Sequence, residues 1–176
     1  PGTTGVHGIA FDDALGRGYT SNGRLNNVFV FDLKTDKILD SIKTGTNPDA
    51  IMFEPFTKTI ITCNGRSNDL TLINPETNKV KGTIAVAGKP ETAVSDGNGK
   101  LFVNIEDKSV IAVVDLKSMK MIRTLPLDGG EEPTGLVYDK DTKRLFAGCD
   151  KLLIALDAVS GKVISKITIG EGCDGV

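Results

Sequence analysis

Apolar and polar residues follow one another along this chain in short bursts rather than along a helical stripe. The stretches HGIAFD, DAIMFE, ETAVSD and TGLVYD, which begin at His7, Asp49, Glu91 and Thr134, gather Ile, Val, Leu and Phe between turn-forming residues. Their starts lie 42, 42 and 43 positions apart, and a further copy, DGV, opens at Asp174. A second marker keeps the same period: DLKTDKI from Asp32, NPETNKV from Asn74, DLKSMKM from Asp115 and DAVSGKV from Asp157. Two independent markers on one period identify an internal repeat.

Within each repeat the pattern predicts strands. In the first copy these are His7–Phe11, Gly18–Ser21, Asn27–Asp32 and Lys37–Thr44, and in the second Asp49–Phe53, Thr59–Cys63, Asp69–Asn74 and Lys79–Val86. LFVNI, SVIAVVD and KMIRTLPL continue the series, followed by RLFAG, LLIALD and KVISKITI. Val, Ile, Phe, Thr and Leu dominate these runs and turn residues bound them, as strands require. No segment sustains the 3.6-residue period of an amphipathic helix.

Asn22-Gly23 and Asn64-Gly65 suit tight connections with inexpensive positive φ. In the (D/N)-x-x-(S/T) marker, the leading side chain can accept backbone amides further along, and the hydroxyl can help close the turn. Lys37, Lys79, Lys120 and Lys162 then start the last strand of each unit. Charge on an outer edge discourages edge-to-edge pairing. These lysines are read as protective.

Four antiparallel strands in each unit of about 42 residues predict an all-β chain built as a β-propeller of four-stranded blades. The blades fall at approximately residues 5–45, 46–87, 88–130 and 131–172, with the start of a fifth at 173–176. Blade faces packed on neighbouring blades explain why VFVFD and VIAVVD are apolar at consecutive positions. A solenoid of mostly parallel strands is the rival architecture.

The stretch RGYTSNGRLNNVFVFDLKTDKILDSI, Arg17 to Ile42, resembles the repeat of the bacterial YVTN-type β-propellers, also described as YncE-like or surface-layer-type proteins. The Y-x-x-N of that repeat corresponds to Tyr19-Thr20-Ser21-Asn22, kept loosely as IITCN, LFVNI and LFAGC. A Pro-containing approach to the inner strand recurs as Asn47-Pro48-Asp49-Ala50, Lys89-Pro90-Glu91-Thr92 and Glu132-Pro133-Thr134-Gly135. The resemblance covers essentially the whole chain and implies a propeller of about seven blades. Four blades are then expected to be part of a larger ring, or to close an eight-blade ring by self-association. A self-closed four-blade ring is a third option. The resemblance also implies a periplasmic or cell-surface location and, for some members, binding of single-stranded DNA.

Composition narrows the partners. The formal charge is −2 and the acidic residues are dispersed, so neither nucleic acid nor anionic lipid is favoured on electrostatic grounds. Aromatic content is 5%, with Phe56 and Tyr138 the rings expected to be partly exposed, which makes a poor base-stacking platform. No apolar run is long enough to cross a bilayer as a helix. Cys63, Cys149 and Cys173 are too few for a disulfide framework and read as small buried side chains, although Cys149 and Cys173 are expected to approach each other.

In a propeller the innermost strands line an axial channel, and ligands bind at its mouth. That places His7, Asp49, Glu91, Thr134 and Asp174 at the mouth, with Asn22, Asn64, Asn104 or Glu106, and Cys149 or Asp150 nearby, and Arg24 and Arg66 on the rim. Such oxygen-bearing side chains suit Ca²⁺. Propeller lactonases are similar in setting Glu, Asn and Asp around one ion, which implies Asp49, Asn64 and Glu91 as the ligands here. A Ser-His-Asp set would depend on His7, the single histidine, and no G-x-S-x-G elbow is present. Asp128-Gly129-Gly130-Glu131 reads as a loose loop between blades. The expected function is a noncatalytic binding scaffold, without a required cofactor, that engages a small ligand or protein at the channel mouth. The alternatives are a metal-dependent propeller enzyme, lactonase- or quinoprotein-like, and a propeller that binds single-stranded DNA.

Overall fold

A computed structural model describes residues 3–176. The first repeat forms β1 (Val6–Asp12), β2 (Arg17–Asn22), β3 (Asn27–Asp32) and β4 (Ile38–Lys43), and the second β5 (Pro48–Glu54), β6 (Thr59–Asn64), β7 (Asp69–Asn74) and β8 (Lys79–Ala85). The third forms β9 (Pro90–Ser95), β10 (Lys100–Ile105), β11 (Val110–Asp115) and β12 (Lys120–Pro126). The fourth forms β13 (Glu131–Asp139), β14 (Arg144–Asp150), β15 (Leu152–Asp157) and β16 (Val163–Thr168). Each repeat closes into its own antiparallel four-stranded sheet with strands in chain order. The up-and-down order is that of a blade and removes the parallel solenoid.

The turns account for this order. Asp32 Oδ1 accepts the amides of Lys34 and Thr35 and the Thr35 hydroxyl. Asn74, Asp115 and Asp157 repeat the arrangement with the residues two and three positions ahead. The chain then turns through a positive φ at Asp36, Asn78, Met119 and Gly161 before the last strand begins. Lys37, Lys79, Lys120 and Lys162 are all exposed at that edge.

The Asn-Gly connections differ from expectation. Gly23 starts a single 3-10 turn, Gly23–Leu25, and positive φ falls later, at Asn26 and at the equivalent Asn68. Space, rather than φ, explains the glycine. A Cβ on Gly23 would stand 2.9 Å from both His7 Nε2 and Asn47 Oδ1.

The chain divides between Val86 and Ala87 into two compact units of two blades each. In the first, Tyr19, Val28, Val30 and Ile42 of one blade share a core with Ile60 and Ile73 of the next. In the second, Phe102, Ile111, Val113 and Leu125 pack with Leu136, Leu145, Ile154 and Leu156. Each core is thus a layer between two sheets, and burial of this apolar area drives their association. In β11 the residues Ile111, Ala112, Val113 and Val114 are all buried, whereas in β3 only Val28 and Val30 are. Ile9, Leu39, Ile164 and Ile167, on the first and fourth blades, each keep about half of their surface exposed.

Polar bonds accompany the apolar layer. Arg17 Nη1 reaches from the first blade to the Pro75 carbonyl at 2.6 Å and to Asn78 Oδ1 at 3.3 Å. Arg123 Nη2 does the same in the second unit, donating to the Val159 carbonyl at 2.5 Å.

Candidate functional site

The starts of the inner strands gather the polar side chains. In the first unit, His7 on β1 and Asp49 on β5 face each other, with Nδ1 3.4 Å from Oδ1, and both are partly open to solvent. The backbone beneath them is pinned by Ser21. Its buried hydroxyl accepts the Gly8 amide at 2.9 Å and donates to the Asp49 carbonyl, joining β1, β2 and β5. Gly23 leaves room for the imidazole from the side of Nε2.

Asn22 and Asn64 occupy equivalent positions and are both fully buried. The Asn22 amide nitrogen donates to the Thr20 carbonyl and to Asn27 Oδ1. The Asn64 nitrogen donates to Asp69 and Thr71, and its oxygen accepts the Thr62 hydroxyl at 3.0 Å. These asparagines lock the turn between the second and third strands. Arg24 and Arg66 stand exposed in the same connections. The residues of the set implied for Ca²⁺ fall in both units. Asn64 is enclosed with its amide engaged, Asp49 faces His7, and Glu91 belongs to the second unit. Among the described residues no group of three His, Cys, Asp or Glu side chains is arranged to hold a metal.

In the second unit Glu91 is part of an ion cluster. Lys89 Nζ lies 2.7 Å from Glu91 Oε1 and is hydrogen-bonded to Glu106 Oε2. The Lys89 amide donates to Asp107 Oδ1 at 2.7 Å, and the Glu106 amide donates to the Lys89 carbonyl. Burial, and the carboxylate of Glu106 beside it, push the Glu91 carboxyl up to about 7, against the pull of Lys89. The hydrogen bond shared with Glu91, reinforced by Lys89, holds Glu106 below the usual carboxylate range. Burial alone would depress the Lys89 ammonium, yet its bonds to Glu106 and Glu91 outweigh that and raise it. Two carboxylates and one ammonium therefore favour retention of a proton between Glu91 and Glu106.

Beside this cluster lies a cavity of about 220 Å³ whose walls include Glu106, Glu132, Thr134, Asp150, Cys173 and Asp174. The Thr134 hydroxyl donates to the Cys173 carbonyl at 2.6 Å, and Asp174 is exposed. Residues 174–176 pass against β13, where a Cβ on Gly135 would meet the backbone of Gly175 and Val176 at 2.6 Å. Cys149 and Cys173 are neighbouring free thiols, and burial pushes the Cys149 thiol up to about 11. Asn104 is fully buried and donates to the Gly135 carbonyl at 2.8 Å. The Tyr138 ring stacks on Phe102, with centroids 5.5 Å apart, so that face is taken by protein. Phe56 is 44% exposed.

The sequence reading missed Lys89 and Glu132. Both precede the proline of the inner-strand approach, and a charged residue at that recurring position was the available signal.

No family model matches the sequence, and no curated protein matches it. Solved structures do. The chain is similar to Kuenenia stuttgartiensis hydrazine synthase, with a TM-score of 0.86 and 20% sequence identity over 97% of this chain. The fold is that of a β-propeller. The chain spans 51% of the length of that solved chain. In all, 1241 solved chains match. Because propeller scaffolds carry many unrelated activities, this likeness assigns architecture and no reaction.

Proposed function

We propose that this propeller is a noncatalytic binding scaffold, periplasmic or cell-surface, that engages a small ligand or another protein at the starts of its inner strands. The observation that carries the reading is the fixed polar display at those starts. His7 is held by Asp49, and Lys89 is held between Glu91 and Glu106. Recognition needs polar groups set in place before the ligand arrives, because ordering them on binding costs free energy. The Ser21 hydroxyl beneath the His7–Asp49 pair is buried and bonded to backbone groups, the role of a brace rather than of an activated nucleophile. The compartment rests on the YVTN-type resemblance of Arg17 to Ile42.

Two measurements test this. Elemental analysis of purified protein, with melting curves in the presence and absence of Ca²⁺, is expected to give no stoichiometric divalent ion and no Ca²⁺-dependent shift. A stoichiometric ion lost on Asp49→Ala or Glu91→Ala would replace the scaffold with the metal-dependent reading. Amide chemical-shift mapping with short acidic and basic peptides as probes should then place contacts at His7, Asp49, Lys89 and Glu106. Contacts confined elsewhere on the surface would end the assignment to the inner-strand starts.

A further inference from the structure

A cavity of the first unit lies at the other end of its inner strands. It measures about 590 Å³, within the range of small-molecule sites, and its walls include Phe11, Asp12, Leu15, Phe53, Lys58 and Glu76. His7 and Asp49 sit at the starts of β1 and β5, whereas Phe11, Asp12 and Phe53 sit at their ends. At 3.3 Å per residue the two places are about 15 Å apart.

Asp12 distinguishes this cleft from a simple groove between turns. The residue is 6% exposed, yet among the described residues its carboxylate receives one long hydrogen bond, 3.3 Å from the Leu15 amide. Among the described residues no lysine, arginine or histidine nitrogen pairs with it. Arg17, its partner across the β1–β2 ladder, turns its guanidinium to Pro75 and Asn78 instead. The same place in the second blade shows what closure looks like. There Glu54, also buried, accepts the amides of Phe56 and Thr57 and the Thr57 hydroxyl at 2.6–3.1 Å. A buried carboxylate is costly unless compensated by opposite charge or hydrogen bonds. Glu54 is compensated by its own turn, and Asp12 is left facing the cleft.

The surroundings point to the chemistry of a ligand. Phe11 and Phe53 supply aromatic surface, and Pro55 and Pro75 add rigid apolar walls. The charges along the lining are Asp12, Asp13 and Glu76 against Lys58, an acidic excess. Aromatic rings attract a cation electrostatically while burying its apolar body. We propose that this cleft binds a small amphipathic organic cation: an amine or quaternary ammonium with a compact aromatic or apolar body, its charge at Asp12 and its body against Phe11 and Phe53. Binding here stands apart from the face formed by His7 and Asp49.

The test titrates the ¹⁵N-labelled chain with benzyltrimethylammonium, using benzyl alcohol and benzoate as neutral and anionic controls. The expected result is saturable shifts confined to residues 11–15, 53–58 and 74–76, with binding at least about tenfold tighter than for benzyl alcohol. Asp12→Asn, nearly isosteric, should weaken binding by about tenfold or more. Phe11→Ala and Glu76→Gln alter exposed side chains, and each should weaken it measurably even if Asp12→Asn fails to fold. Equal binding of benzyl alcohol, unchanged binding by Phe11→Ala and Glu76→Gln, or shifts located at His7 and Asp49 would overturn the proposal. So would the absence of any saturable shift in the millimolar range.

Discussion

Glu91→Gln gives the most direct access to the energetics of the inner-strand starts. In the native state the Glu91 carboxyl keeps its proton up to about 7, whereas unfolded it releases that proton near 4.5. Between those values the native chain binds more protons than the unfolded chain, so stability must fall as pH rises through that window. Moving a carboxyl from 4.5 to about 7 corresponds to about 3 kcal/mol. The Glu91 and Glu106 side chains keep 18% and 24% of their surface open to water, which screens part of that, and about 1–2 kcal/mol is the expected effect. The depressed carboxyls of Glu106 and Asp107 act with the opposite sign, but only at acid pH below this window.

The assay is urea unfolding followed by far-ultraviolet circular dichroism, since the chain has no tryptophan. Wild type and Glu91→Gln are compared at about pH 5 and about pH 8. Wild type should lose about 1–2 kcal/mol on going from the lower to the higher pH, and the variant should lose most of that dependence. Carbon-13 titration of the Glu91 carboxyl should give a midpoint near 7. A wild-type stability that rises across the window, or a variant with the same slope as wild type, would refute the proton-sharing cluster.

Other consequences follow from single contacts. Ser21→Ala leaves the Gly8 amide and the Asp49 carbonyl without their buried partner and should cost about 1–3 kcal/mol in the same unfolding assay. Gly23→Ala forces a methyl group onto His7 Nε2 and Asn47 Oδ1, and imidazole NMR should report a His7 ring displaced from Asp49. Iodoacetamide at neutral pH should label Cys173 well before Cys149, which is enclosed with its thiol pushed up to about 11; mass spectrometry of native and urea-unfolded samples checks this. Asn104 carries a buried carbonyl oxygen with no partner, so Asn104→Ser, which restores the serine found in the first blade, should cost less than Asn104→Ala.

The repeat was legible because each blade meets the same local demands: an Asp or Asn to cap one turn, a lysine at the outer edge, and apolar strands between. β3, β7 and β15 have the bounds that pattern predicts, and the other strands differ by one to three residues at their ends. The side-chain network was less legible because it depends on register. Asn22, Asn64 and Asn104 look like one ring of asparagines, yet Asn22 lies opposite Asn27 and Asn64 opposite Asp69, while Asn104 lies opposite Ile111. From Thr59 to Lys100 the second strands advance by 41 residues but the asparagines Asn64 and Asn104 by only 40, so Asn104 falls one place earlier in its strand. One place in a strand turns a side chain to the other face. The Glu91 cluster was half visible for the same reason: Lys89 is near in sequence, but Glu106 arrives across the sheet. The Asp12 cleft is assembled from three separated segments, and no one of them announces it.

That slip exposes a recurring device in the fold. The position held by Ser21 in the first blade is held by Asn104 in the third and Gly148 in the fourth, each the fifth residue of its second strand and paired with the third. Ser21 bonds the Asp49 carbonyl and Asn104 bonds the Gly135 carbonyl, each reaching the inner strand of the following blade within its unit. Gly148 carries no side chain, and there Cys173 and Val176 close in instead, to within 3.0 Å of where a Cβ would stand. One slot is thus filled by a hydroxyl, by a longer amide, or by the neighbouring chain itself. The residue in the slot holds the backbone of the next inner strand beside a polar side chain of that strand. Asp49 gives its own carbonyl to Ser21, and Thr134 immediately precedes the carbonyl that Asn104 holds. The chemistry of each face therefore depends on where a blade departs from the repeat, while the repeat itself supplies the sheet on which the departure is displayed.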